Sequence, residues 1–147
     1  MEQDSSHVNF QDIPNDTMQI ILPLIQQLNP DTSQETLAHR LSEMQSLNYH
    51  TLGAFNEEKL IGIASYWFGT RFWCGKYVDI DNVIIEESYR GQGIAENMIN
   101  QIEVIAKKSD CEISILDSYT SNHKSNRFYH KMKYHVEGFH FVKYMDD

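Results

Sequence analysis

Hydrophobic positions along this chain change their spacing several times, and each change marks an element. Alternation over residues 8–11 predicts a short first strand, after a loose polar tail at 1–6. Met18, Ile21, Leu22 and Ile25 then recur at helical spacing, with Asp16 or Thr17 as the cap. Pro23 falls inside that run and must bend or split it, because it lacks an N–H and crowds the preceding turn. Asn29, Pro30 and Asp31 form a turn, and Ser33 opens a second helix whose apolar face is Leu37, Leu41, Met44 and Leu47. Residues 49–55 and 60–68 read as strands around a hairpin turn at 56–59, and a third such run, 77–85, follows a turn at 69–75. Ile94, Met98, Ile102 and Ile105, flanked by Ala95, Ile99 and Ala106, give a wide apolar stripe on a long helix running to 108. Residues 112–116 form the next strand, set parallel to the third run by that crossover helix. A short helix at 122–132 carries Phe128 and Met132 on one side. Residues 134–144 alternate around Gly138 and are expected to close the sheet as one bent strand or a hairpin.

Composition narrows what such a chain does. Its 147 residues suit a single domain, 1–147, with a real core. A formal net charge of −9 argues against holding a phosphate backbone, so no nucleic-acid partner is expected. The same charge favours cations, protonated amines among them, beside its plain effect on solubility. No apolar run approaches the ~20 residues of a membrane span, and the N-terminal stretch has no apolar signal core. Cys74 and Cys111 lack metal-ligand spacing, and His123, His130, His135 and His140 lack a completing carboxylate or cysteine set. We therefore expect no metal, no membrane partner, free thiols and a cytoplasmic setting. A homodimer remains open as the assembly.

The chemistry concentrates where the third run meets the long helix, at Tyr89, Arg90, Gly91, Gln92, Gly93, Ile94 and Ala95. A strand, a glycine turn and a helix N-terminus together make an anion site, since backbone approaches closely at glycine and first-turn amides are unpaired. A Walker loop would need Lys-Ser/Thr where Ile94 and Ala95 stand, and a dinucleotide fingerprint would need a small residue where Glu96 stands. What remains is Arg-x-x-Gly-x-Ala, formed by Arg90, Gly93 and Ala95. This resembles the pyrophosphate loop of the GNAT superfamily, the acyl-CoA-dependent N-acyltransferases. A second stretch, from Asn122 through Ser125, Phe128, Tyr129 and Lys131, resembles that family's Asn-x-x-Ala-x-x-Phe/Leu-Tyr-x-Lys-x-Gly-Phe signature. It departs from it at Ser125 and at Lys133 and Tyr134. Glu87 also stands where the family frequently has proline. The predicted element order is the family's order over nearly the whole chain.

The resemblance implies a mixed α/β fold with a mostly antiparallel sheet of six to seven strands and about four helices. Its fourth and fifth strands part to admit the donor. It implies acetyl-CoA as acyl donor and an amine as acceptor, with the first two helices walling the acceptor pocket. Arg90, Gly91, Gln92, Gly93, Ile94 and Ala95 would hold the pyrophosphate. Val83, Ile84, Ile85 and Asn122 would hold the pantetheine arm, and Tyr129 would protonate the leaving thiolate. Arg90 could touch phosphate or only hold the turn. Asp79 and Asp81, carboxylates in an otherwise apolar strand, are candidate bases whose burial would raise their pKa, or structural carboxylates. Strict alternation places Tyr77, Asp79, Asp81, Val83 and Ile85 on one face. Tyr66, Trp67, Phe72, Trp73 and Tyr77 could line an acceptor pocket or simply pack the hairpin. Two other functions fit the same residues: a non-catalytic acyl-CoA sensor or complex subunit, and a structural module whose glycine loop is only a turn.

Overall fold

Pro23 divides the first helical run. Residues Asn15–Ile21 wind as a 3-10 helix, and α1 (Leu22–Leu28) begins at the proline, where a missing N–H costs nothing. In α2 (Gln34–Met44) the Ser33 hydroxyl accepts the Thr36 amide at 3.1 Å, the expected cap. The helix stops at Met44, where the chain turns towards the sheet. Leu47, expected on the apolar face, lies outside the helix and is 63% exposed.

This computed structural model describes residues 7–146, and the polar stretch 1–6 lies outside them. The chain forms two compact units, residues 1–116 and 117–147, each described by itself. The first unit holds one sheet of five strands: β1 (Val8–Asp12), β2 (Tyr49–Asn56), β3 (Lys59–Arg71), β4 (Gly75–Ile85) and β5 (Ile113–Leu116), side by side in chain order. The first three pairings are antiparallel; β2–β3 and β3–β4 are hairpins, while the first two helices lie between β1 and β2 in the chain. β4 and β5 run parallel, joined by the crossover α3 (Ile94–Lys108).

Helices cover both faces of this sheet. On one, Met18, Ile21, Leu24 and Leu41 pack with Tyr49, Phe55, Ile63 and Ile84 of the strands. On the other, α3 lies against β2, β3 and β4 and buries Met98, Ile99 and Ile102 completely. Each of those side chains contributes about 2 kcal/mol of burial. Double coverage explains why central β3 reads as a near-continuous apolar run, Ile61 to Tyr66, rather than a clean alternation.

The second unit contains α4 (His123–Lys131) and no strand among its described residues. The class is the expected mixed α/β one, but the described sheet has five strands, not six or seven. The difference lies in 134–144, where Val136, Phe139, Phe141 and Tyr144 stand exposed. Alternation makes a strand only where a neighbour takes up the backbone amides and carbonyls, and no ladder forms there among the described residues.

Candidate functional site

The end of β4 is irregular, and that irregularity shapes the site. On β3, Ile63 to Ser65 is two steps; on β4 their partners Ile84 and Asp81 are three steps apart. One extra residue is therefore inserted in β4, a β-bulge. Asn82 sits in it with φ +52°, a left-handed conformation that Asn tolerates better than most residues. The expected single alternation of Asp81, Val83 and Ile85 fails here. Asp81 shares its face with Ile84, because their partners Ser65 and Ile63 share a face on β3.

The carboxylates lie just before the bulge, where β4 keeps regular register with β3. Asp79 is half-buried, opposite Trp67 on β3 and Ile115 on β5. Asp81 is exposed, and its Oδ1 accepts the Asn82 amide at 2.9 Å; the burial expected of it is not found. The β4–β5 ladder runs from Tyr77 opposite Ile113 to Ile80 opposite Leu116 and ends there. β4 continues past that point through Val83, Ile84 and Ile85, paired to β3 alone. This is where the fourth and fifth strands were expected to part.

Beyond Ile85 the chain makes a 3-10 turn, Glu87–Tyr89, that buries Tyr89. The Tyr89 hydroxyl accepts from Asn56 Nδ2 at 2.6 Å. Lys59 pairs with Glu86 at 3.1 Å on the surface beside it. Arg90 Nε donates to the Ile85 carbonyl at 2.8 Å. Gly91 and Gly93 both take φ +78°, and a methyl group built on either would meet nothing within 4 Å. Glycine is thus required by conformation, over open space. Gly93 is the N-cap of α3, and no side chain caps it. The helix geometry leaves the amides of Ile94 and Ala95 without partners inside α3, at the positive end of its dipole. Glycine backbone, unfilled space and orphan donors are the requirements for an anion, and all three occur together here.

In the second unit, Asn122 is the N-cap of α4, its Oδ1 accepting the Ser125 amide at 3.2 Å. Tyr129 is half-buried, with the Phe128 ring at 5.4 Å and the Tyr134 ring at 6.3 Å between centroids. At the other end of α4, the Tyr134 amide donates to the Tyr129 carbonyl and the Lys133 amide to that of His130. This is a Schellman closure whose left-handed position is Lys133, φ +71°. The residue that replaces the family's glycine adopts a glycine conformation.

Other expected groupings do not form. Tyr66 and Trp67 lie on opposite faces of β3, Trp67 against Tyr49 at 4.7 Å and Tyr66 against His50 at 5.2 Å. Phe72 and Trp73 are exposed in the turn. The five aromatics do not line one pocket. Among the described residues no cluster of three metal-ligating side chains occurs, no helix is long and apolar enough to cross a membrane, and both cysteines are free. Sequence reasoning missed a buried hydroxyl chain of Tyr49, Ser65 and Thr51 that reaches Asn82. The available signal was Asn82 itself, a turn-favouring residue inside an apolar strand.

This sheet, with a bulged fourth strand leading into a glycine turn and a helix N-terminus, defines an acyl-CoA transferase type of fold. The chain belongs to the acetyltransferase (GNAT) family, whose model matches residues 15–134. It is 30% identical over 82 residues to glucosamine 6-phosphate N-acetyltransferase 1 of Dictyostelium discoideum, covering 54% of this chain and 50% of that one. To the thialysine N-epsilon-acetyltransferase of Bos taurus it is 26% identical over 61 residues, 40% of this chain and 36% of that one. The matches thus span half or less of these curated relatives. A solved aminoglycoside N-acetyltransferase in complex with CoA has the same fold, with a TM-score of 0.83 at 16% identity, over 99% of each chain.

Proposed function

We propose that this chain transfers an acetyl group from acetyl-CoA to a primary amine by direct attack, as one domain spanning residues 1–147. The observation that carries the proposal is the glycine turn at the N-terminus of α3, directly after a strand whose ladder with β5 has already ended. Amides of Gly91, Gln92, Gly93, Ile94 and Ala95 hold the pyrophosphate. Arg90 braces that loop against β4. The backbone of Val83, Ile84 and Ile85 holds the pantetheine arm, with Asn122 as a further contact. This remote binding energy positions the thioester carbon.

Asp79 or Asp81, directly or through water, takes the proton of the incoming ammonium. The neutral nitrogen then forms the new C–N bond, and a backbone amide near Ile85 holds the developing oxyanion. As the C–S bond breaks, Tyr129 gives its phenolic proton to the departing thiolate, and the proton that the nitrogen sheds on becoming an amide passes through water to restore the phenol. The acceptor is an amine because the family relatives are named for such acceptors, a 6-phosphorylated amino sugar and thialysine. The acidic net charge of −9 suits a cationic acceptor.

Thiol release from acetyl-CoA across a panel of amines tests this. Tyr129→Phe is expected to lower kcat about a hundredfold or more, within the range of acid catalysis, with CoA affinity near that of the parent. Unchanged turnover in that variant removes the assigned role. CoA binding with no transfer to any amine replaces the enzyme with a non-catalytic acyl-CoA sensor.

A further inference from the structure

Asn82 is the one non-glycine residue inside a strand, among those described, with a positive φ. Its conformation is held at two points. Its own amide donates to Asp81 Oδ1 at 2.9 Å, and its side-chain Nδ2 donates to the Tyr49 hydroxyl at 3.3 Å. Tyr49 in turn donates to Ser65 Oγ at 2.7 Å, and Ser65 shares a 2.9 Å bond with Thr51 Oγ1. The chain is deeply buried: Tyr49 is 4% exposed, Thr51 1% and Ser65 0%. Ser65 is also the register partner of Asp81, so both ends of the network converge on the inserted residue.

We infer that the Tyr49 hydroxyl is a positioning group: it latches Asn82 in the bulge and thereby sets the phase of Val83, Ile84 and Ile85. The Tyr49 ring itself is placed by packing, 4.7 Å from Trp67, so a phenylalanine would fill the same core space. What the hydroxyl adds is a tie to the one position where β4 changes face. A one-residue slip there would exchange inward and outward backbone and side chains through Ile85. The inference that this phase matters for catalysis rests on the acetyl-transfer reading; the latch itself does not.

The test uses the full chain and two single variants. Tyr49→Phe removes the hydroxyl and keeps the ring. Asn82→Gly keeps access to positive φ and removes the side-chain donor. Amide exchange at Val83, Ile84 and Ile85 is followed by NMR without ligand, with Met98 and Ile102 of α3 as internal references. Both variants are expected to speed exchange at residues 83–85 about tenfold, leave the references unchanged, and lower kcat about tenfold. The double variant should be no worse than either single one, because the two groups act through one bond. Unchanged exchange at residues 83–85 in Tyr49→Phe overturns the latch, as do single effects that multiply in the double variant. A parent protein that neither binds CoA nor transfers acetyl removes the acetyl-transfer reading, while the exchange data still decide the latch. Faster exchange with unchanged kcat in an active parent confines Tyr49 to stability and overturns its positioning role.

Discussion

Arg90 Nε donates to the carbonyl oxygen of Ile85 at 2.8 Å, so the glycine loop is tied by its first residue to the last residue of β4. The bond couples the two segments proposed to hold the donor's phosphates and arm. Of the two sequence-based expectations for Arg90, it supports the holding of the turn.

Arg90→Ala should therefore weaken CoA binding about tenfold, since a net hydrogen bond is worth about 1 kcal/mol and the loop also loses its brace. Arg90→Lys should recover little, because an ammonium cannot reproduce the planar Nε donor. Calorimetric titration with CoA checks both. Full affinity in Arg90→Ala would separate the loop from the strand end.

Lys133 holds a left-handed conformation that costs an L-residue about 1–2 kcal/mol. Lys133→Gly should raise stability by about 1 kcal/mol, after the extra chain entropy of glycine in the unfolded state. Urea unfolding at neutral pH reads this directly, and a loss of stability would contradict the Schellman closure at Tyr129 and Tyr134.

Two tyrosines contribute to the loss of stability at alkaline pH. Burial raises the Tyr49 phenol above its ordinary value, opposed by its hydrogen bonds with Ser65, Asn82 and Thr51, with the Asp81 charge adding to the rise. Burial first, then the Asp12 charge and hydrogen bond, raise Tyr66 further. Groups raised on folding stabilise fully below their unfolded pKa of about 10 and lose that contribution as pH climbs towards the folded value. Stability should thus fall above about pH 10. The fall should be smaller in Tyr66→Phe, whose hydroxyl donates to Asp12 Oδ1 at 3.2 Å in the parent. Urea midpoints between roughly pH 8 and 11 measure both slopes; equal slopes would contradict the Tyr66 contribution.

Much of this was legible because certain residues carry conformational information on their own. Ser33 announced its helix, Pro23 its split, and Gly91 and Gly93 a turn that needs positive φ. The long stripe on α3 and the hairpins came from periodicity alone. What failed depended on partners. A uniform period of two cannot register an inserted residue, so Asn82 turned the faces of Val83 and Ile85 relative to Asp81. Helical spacing continued through Leu47, although the chain had already left α2 for β2. The alternation of 134–144 needs a neighbouring strand, and a local pattern does not specify one. The Tyr49 hydroxyl chain was invisible because it joins residues from three strands, each ordinary in its own segment.

The claim on which the rest depends is that main-chain amides of the glycine turn grip the donor's pyrophosphate. A titration with CoA, following each backbone amide by NMR in the parent and in Gly93→Ala, tests it most directly. The expected result is that Gly91, Gly93, Ile94 and Ala95 show the largest shifts, with Val83 and Ile85 next, and that Gly93→Ala binds at least tenfold more weakly. Shifts confined to other segments, or equal affinity in the variant, would contradict it.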